Sequence, residues 1–305
     1  MADEDLKFQK QKLPSYGLMG PVAFQAADQQ LASSGARVIL AGGQRRGITG
    51  EMWCYETNGD GWMQVMPEQL GGVVPSERTQ ASLVSIGVEP QTALLLFAGY
   101  VLNVGEANDL WRSEISADPN TSMPVANHEQ LEASGELPPK RYGHSATIVG
   151  ERNMVVFGGQ SGSQQFSDLW SLMLEGFAWA AVRTEGVPPS PRMRHAASLA
   201  GIGVVLVLGG FNRLERALPD AYMLSLSADG ASGSWAPFEV SEGQLPPARA
   251  QHTATPTADG KHIFVFGGYD GTKNLADLWI IDVAGRAATE VRWGRMAFCL
   301  WHGEV

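Results

Sequence analysis

A fivefold internal repetition constrains this chain more than any other feature. Apolar runs that end in two small residues recur at 38–43 (VILAGG), 94–99 (LLLFAG), 155–159 (VVFGG), 205–210 (VLVLGG) and 263–268 (IFVFGG). Counted on the last residue of each run, Gly43, Gly99, Gly159, Gly210 and Gly268, the steps are 56, 60, 51 and 58 residues. A period of that size sets an architecture before any local propensity is weighed.

Three further elements keep step with the small-residue pairs. Each pair is followed by an acid, an apolar residue and an aromatic: Glu51-Met52-Trp53, Asp109-Leu110-Trp111, Asp168-Leu169-Trp170, Asp220-Ala221-Tyr222 and Asp277-Leu278-Trp279. Another tryptophan comes later in four copies, at Trp62, Trp179, Trp235 and Trp293, and is missing from the second. Ahead of the pairs stand 141–144 (RYGH), 192–195 (RMRH) and 249–252 (RAQH), with 78–81 (RTQA) as a weaker version, each after a proline- or serine-rich turn.

Four short apolar segments per repeat, separated by turn residues, predict an all-β fold of four-stranded antiparallel blades, lettered a to d from the axis outward. One such blade has two apolar faces and needs a neighbour on each, so the repeats pack radially around a channel. The paired glycines Gly42, Gly43, Gly158, Gly159, Gly209, Gly210, Gly267 and Gly268, with Gly99, permit positive φ and close approach at the end of strand b. Trp53, Trp111, Trp170 and Trp279 supply large buried area, and the acid before each can accept arginine hydrogen bonds that fix the loop.

The ordered set of Gly-Gly, Asp-Leu-Trp, Trp and Arg-Tyr-Gly-His resembles the kelch repeat, and the resemblance covers almost the whole chain. It implies a kelch-type β-propeller with five recognisable blades, at 14–66, 78–125, 141–183, 192–240 and 249–293, behind an N-terminal extension at 1–13. Residues 14–17 (PSYG) and 22–24 (VAF) parallel the entry into the third repeat, which places the first strand of blade 1 there. Residues 294–305 resemble the opening of a sixth repeat. They either close a ring of five or begin a missing blade; the six or seven blades of the family favour a fragment of a longer protein.

Composition narrows the function. A net charge of −10 with no Lys/Arg-dense stretch argues against a nucleic-acid backbone or an anionic membrane as principal partner, and favours a neutral or basic one. Cys54 and Cys299 alone build no disulfide framework or thiolate zinc site, so a reducing compartment is the default. The start MADEDLK lacks the pattern of a signal peptide, and no stretch reaches the roughly 18 apolar residues of a membrane span, which predicts a cytoplasmic or nuclear location.

Chemical motifs are few. His144, His195 and His252 occupy equivalent places in consecutive repeats, but such places lie a blade apart, too far for joint coordination at about 2 Å, and each is expected to satisfy a local hydrogen bond instead. Galactose-oxidase-like propellers need a cysteine crosslinked to a tyrosine, which neither cysteine here supports. No catalytic residue, metal or cofactor is therefore assigned, and the chain is expected to be a non-enzymatic interaction module, an adaptor or substrate-recognition propeller. A regulatory propeller of a larger protein, such as a kelch-containing phosphatase, is the alternative.

Repetition breaks just after the small-residue pairs, where specificity would lie. The kelch resemblance places those residues and the turns entering strand a on one rim, where family members bind peptides. Carried over by position, the partner-binding candidates are Arg45, Tyr100, Tyr142, Gln160, Arg194 and Tyr269, with Arg46, Phe211, Asn212, Arg213 and Asp270 as neighbours. Arginine and tyrosine are frequent anchors of such surfaces. The long second repeat, from Ser116 to Pro139, is expected to carry either a projecting loop or helical turn, or a degenerate outer strand.

Overall fold

The computed structural model describes residues 37–291 apart from 44–47, 49, 57–61, 69–71, 88–92 and 258, and these contain strands and turns but no α-helix. The chain is an all-β propeller. Blade 1 shows strands Arg37–Ala41, Met52–Glu56 and Trp62–Pro67. Blade 2 is built from Ser82–Ile86, Ala93–Val101, Gly105–Ala117 and Pro124–Leu131. Blade 3 follows with Ser145–Val149, Asn153–Phe157, Leu169–Met173 and Ala178–Ala181. Blade 4 has Ala196–Leu199, Val204–Leu208, Ala221–Leu226 and Ser232–Pro237. Blade 5 has Thr253–Pro256, His262–Tyr269, Asn274–Asp282 and Ala287–Val291. The expected first strand of blade 1, Trp293 and the segment 294–305 lie outside the described residues.

Within each blade consecutive strands pair antiparallel, and alternate residues point to opposite faces. Where two described blades meet, the facing surfaces are apolar and cover each other. Phe97 of blade 2 meets Trp179 of blade 3 with ring centroids 4.8 Å apart, and Phe157 of blade 3 meets Trp235 of blade 4 at 4.9 Å. Such a pair contributes roughly 0.5–1.5 kcal/mol beyond the area it buries. The a strands of blades 2 to 5 lie side by side and line a central cavity of about 70 Å³. On blade 5, Phe264 and Phe266 remain 37% and 40% exposed, whereas the matching Leu206 and Leu208 of blade 4 are buried against blade 5. Both rings thus stay open to solvent over more than a third of their surface.

A stitch between blades was not anticipated from the repeat. At the end of strand d or just beyond it, the chain runs parallel to strand d of the next blade: Met66 and Pro67 beside Val125 and Ala126, Ser134 and Gly135 beside Ala178 and Trp179, Arg183–Gly186 beside Ser232–Trp235, Glu242 and Gly243 beside Ala287 and Ala288. Gly186 sits there at φ +77° with the Trp235 carbonyl oxygen 2.3 Å from where a Cβ would stand. Gly135 and Gly243 meet the same obstruction. Gly186→Ala is therefore expected to lower stability by about 2–3 kcal/mol, strained backbone and steric displacement together, measured by urea denaturation. Gly176→Ala, at a positive φ with open space around it, isolates the backbone term and should cost only about 1 kcal/mol.

The second repeat is long for a plain reason. Its c and d strands run to Ala117 and from Pro124, joined by a tight turn in which Asp118 Oδ1 accepts bonds from the Asn120 and Thr121 amides. The expected projecting loop or helical turn is absent from this part of the chain, and the extra length is strand. That strand is also where the later tryptophan of the pattern is missing. His128 holds the place of Trp179 and Trp235, and opposite it Ser113 replaces Leu172 and Leu224.

Candidate interaction rim

The rim is built on a buried arginine that recurs in four blades. Arg78, Arg141, Arg192 and Arg249 are at most 3% exposed. Each forks onto the acid that opens strand c of its own blade: Arg141 Nη1 and Nη2 donate to Asp168 Oδ1 and Oδ2 at 2.8 Å, and Arg192 to Asp220 at 2.8 and 2.9 Å. Nη1 also donates to the carbonyl of the first small residue of the pair, Ala98, Gly158, Gly209 or Gly267, and Nε to the carbonyl two residues upstream. One side chain thus ties the turn before strand a, the end of strand b and the start of strand c. Trp111, Trp170 and Trp279 complete the carboxylates by donating Nε1–H at 2.6–2.7 Å. Burial alone would raise the Asp109 and Asp277 pKa values, but the hydrogen bonds and charge of the partner arginines outweigh it and hold both below the usual carboxylate range.

This clamp fixes what stands beside it. The residue after each arginine pairs with the residue after the small-residue pair: Thr79 with Tyr100, Tyr142 with Gln160, Met193 with Phe211 and Ala250 with Tyr269. The next residue is left-handed in each of these four blades, Gln80 (φ 55°), Gly143 (φ 66°), Arg194 (φ 54°) and Gln251 (φ 59°). Only one of the four is glycine. The strain is held by a chain of backbone bonds running from blade to blade around the channel mouth. The Gly143 amide donates to the Gln80 carbonyl, Arg194 to Gly143 and Gln251 to Arg194, at 2.7–2.9 Å.

The side chains at these positions gather at the mouth. Tyr100, 40% exposed, meets the half-buried Tyr142 edge to face at 5.9 Å. Tyr142 Oη accepts Gln160 Nε2–H at 3.0 Å. Arg194 reaches across the channel mouth, and its Nε donates to Gln80 Oε1 at 2.8 Å. Burial lowers the Arg194 pKa while Tyr142 and Glu215 pull it back up, and a guanidinium stays charged at pH 7 throughout. Among the described residues its ion-pair distance to any carboxylate exceeds 4.0 Å, so the charge has spare capacity.

Other candidates fare differently. Phe211 is 5% exposed in a small cluster with Met193 and Ala250, its ring 6.3 Å from Tyr269, so it supports Tyr269 instead of meeting a partner as expected. Asn212 Oδ1 accepts the Leu214 and Arg216 amides, and Asp270 Oδ1 the Thr272 and Lys273 amides; both side chains close their own loops. Arg213 is exposed, away from these bonds. Arg45 and Arg46 lie outside the described residues. Gln80, Gln251 and Glu106, whose Oε1 accepts the Gly162 amide, join the mouth without having been singled out. The signal for the two glutamines was available: both stand two residues after a repeat arginine.

Two of the three histidines make the expected local hydrogen bond. His144 Nε2 meets Ser82 Oγ at 2.9 Å and His195 Nε2 meets Ser145 Oγ at 2.8 Å, each bond joining strand a of one blade to that of the blade before. His252 faces Ala196 at the same place and has no such partner, and all three Nδ1 atoms are buried without one. No cluster of three His, Cys, Asp or Glu able to hold a metal occurs among the described residues.

Comparison with known proteins matches residues 29–255 to the KLHDC2/KLHL20/DRC7 Kelch-repeats domain and residues 252–286 to the Kelch motif. An F-box/kelch-repeat protein of Arabidopsis thaliana is 28% identical over 66% of this chain and 41% of its own length. The flagellar outer-arm dynein alpha chain of Chlamydomonas reinhardtii is 36% identical over 49% of this chain, and the Arabidopsis serine/threonine-protein phosphatase BSL2 is 25% identical over 80% of it. The chain spans only 3% and 23% of those two proteins.

Proposed function

The chain belongs to the kelch-repeat family, whose domains generally mediate protein–protein interaction, and from that premise we propose that it recognises a protein partner through the rim around its channel mouth. The observation that carries this reading is the contrast between frame and occupant. The Arg–Asp clamp, the strand pairing and the left-handed turn repeat in four blades, while the side chains mounted on them vary: Tyr100, Gln160, Phe211 and Tyr269 after the pair, Thr79, Tyr142, Met193 and Ala250 after the arginine, and Gln80, Gly143, Arg194 and Gln251 at the turn. A rigid frame with unlike side chains suits recognition, and Tyr and Arg are common anchors there. The role is that of an adaptor or substrate-recognition module, with binding and no catalysis.

Similarity to the kelch part of a phosphatase supports a second setting for the same rim, as a recognition element within a longer protein. The test is shared. Tyr100→Ala, Tyr142→Ala and Arg194→Ala combined should weaken capture of partners from a cell lysate at least tenfold while moving the melting temperature by only a few degrees. An unchanged set and yield of partners would overturn the rim assignment. The Phe264 face, mutated separately, tells loss of the rim apart from loss of the propeller.

A further inference from the structure

Where blades 1 and 2 meet, the repeat omits its bulk. The strand-b position that carries Phe97, Phe157 and Leu208 in blades 2, 3 and 4 is Ala41 in blade 1. The facing strand-d position, Trp179 in blade 3 and Trp235 in blade 4, is His128 in blade 2. The blade 4–blade 5 contact also lacks the tryptophan, since Ala288 stands there, but it is filled by Phe238, 2% exposed, with Arg286 over its ring at 5.7 Å. The place of Phe238 is Val65 in blade 1. The first contact therefore has none of the three large rings that close the others, and a pocket of about 390 Å³ opens there.

We propose that this pocket is a ligand site, separate from the rim, which takes an indole-sized aromatic ring bearing a positively charged arm. Its volume lies within the roughly 300–1,000 Å³ of small-molecule sites. Ala41, Met52, Val65 and Leu96 give it apolar walls, and methionine adapts well to a flat ring. His128 supplies a polar edge held in place, since its Nδ1 meets Ser113 Oγ at 2.8 Å. The mouth carries Glu51 and Glu77, both exposed, on a chain of net charge −10. Among the described lining residues the one arginine, Arg78, is neutralised by Asp109 at 2.7 Å. The ring occupies the space that Phe and Trp fill elsewhere in this molecule, and the arm faces the acids.

Titration of the full chain with tryptamine, followed by calorimetry, should give saturable 1:1 binding, and indole-3-acetate should bind at least tenfold more weakly. Ala41→Phe and His128→Trp restore the rings of the sibling contacts. Each should weaken tryptamine at least tenfold while leaving the melting temperature equal or higher. Val65→Phe, which copies the ring of Phe238, serves if either of those fails to fold. No saturable binding, equal binding of the acetate, or undiminished binding to the filled variants would each overturn the proposal.

Discussion

Arg192→Ala is expected to cost about 3–5 kcal/mol. The guanidinium is fully buried, and its removal strands the Asp220 carboxylate together with the Gly209 and Ser190 carbonyls, all of which now accept from it. Arg192→Lys should recover little, because an ammonium cannot fork onto both carboxylate oxygens while also serving the two carbonyls. Asp220→Asn is the informative companion. The asparagine keeps one acceptor for the fully buried guanidinium and replaces the other with a donor, while the 35% exposure of the Asp220 side chain leaves that end open to water, so a smaller loss of about 1–3 kcal/mol is expected. Urea denaturation of the three variants measures this; an alanine variant within 1 kcal/mol of the parent would show that the clamp is incidental to the fold.

The clamp also explains how much could be read beforehand. Asp109, Asp168, Asp220 and Asp277 and their arginines recur at fixed spacing, so blade content and strand order were legible from repetition, and the role of the acid followed from its neighbours. What escaped was whatever repetition does not mark. Gly135, Gly186 and Gly243 do recur, two to three residues before a Pro-Pro pair, yet their reason is a carbonyl of the next blade that no local pattern reveals. Phe211 looked like an anchor from its position after Gly-Gly, and burial between Met193, Ala250 and Tyr269 gave it a supporting role. Gln80 and Arg194 are separated by 114 residues and meet only because the blades curl around a common channel. The missing tryptophan of the second repeat was visible, but not that Ser113 and His128 form a polar pair in its stead.

Mild acid should unfold the protein well before its carboxylates titrate. His144, His195 and His252 are buried in the channel wall, and burial, with the charges of Arg141, Arg192 and Arg249 behind it, pushes His144 and His252 down to about 3 and His195 well below its ordinary value of 6.5. In the unfolded chain each binds a proton near pH 6.5, while the folded chain refuses it. A depressed pKa stabilises the fold above the unfolded value and withdraws that stability as pH falls, here from about 6.5 down towards 3. Between pH 7 and 5 His144 and His252 each remove about 2 kcal/mol and His195 adds in the same direction, a large part of the roughly 5–15 kcal/mol that holds a typical domain. His128, lowered by burial, adds in the same direction. The ion-paired Asp109 and Asp277 contribute only lower down, below their unfolded value of 3.8. Unfolding free energies from urea titrations at pH 7, 6 and 5 should therefore fall steeply. His252→Gln should flatten that slope by about a third, and it is the gentlest of the three changes because His252 alone lacks a serine across the blade junction. A stability that stays level from pH 7 to 5 would mean that water reaches these imidazoles and that the channel wall is open to protons.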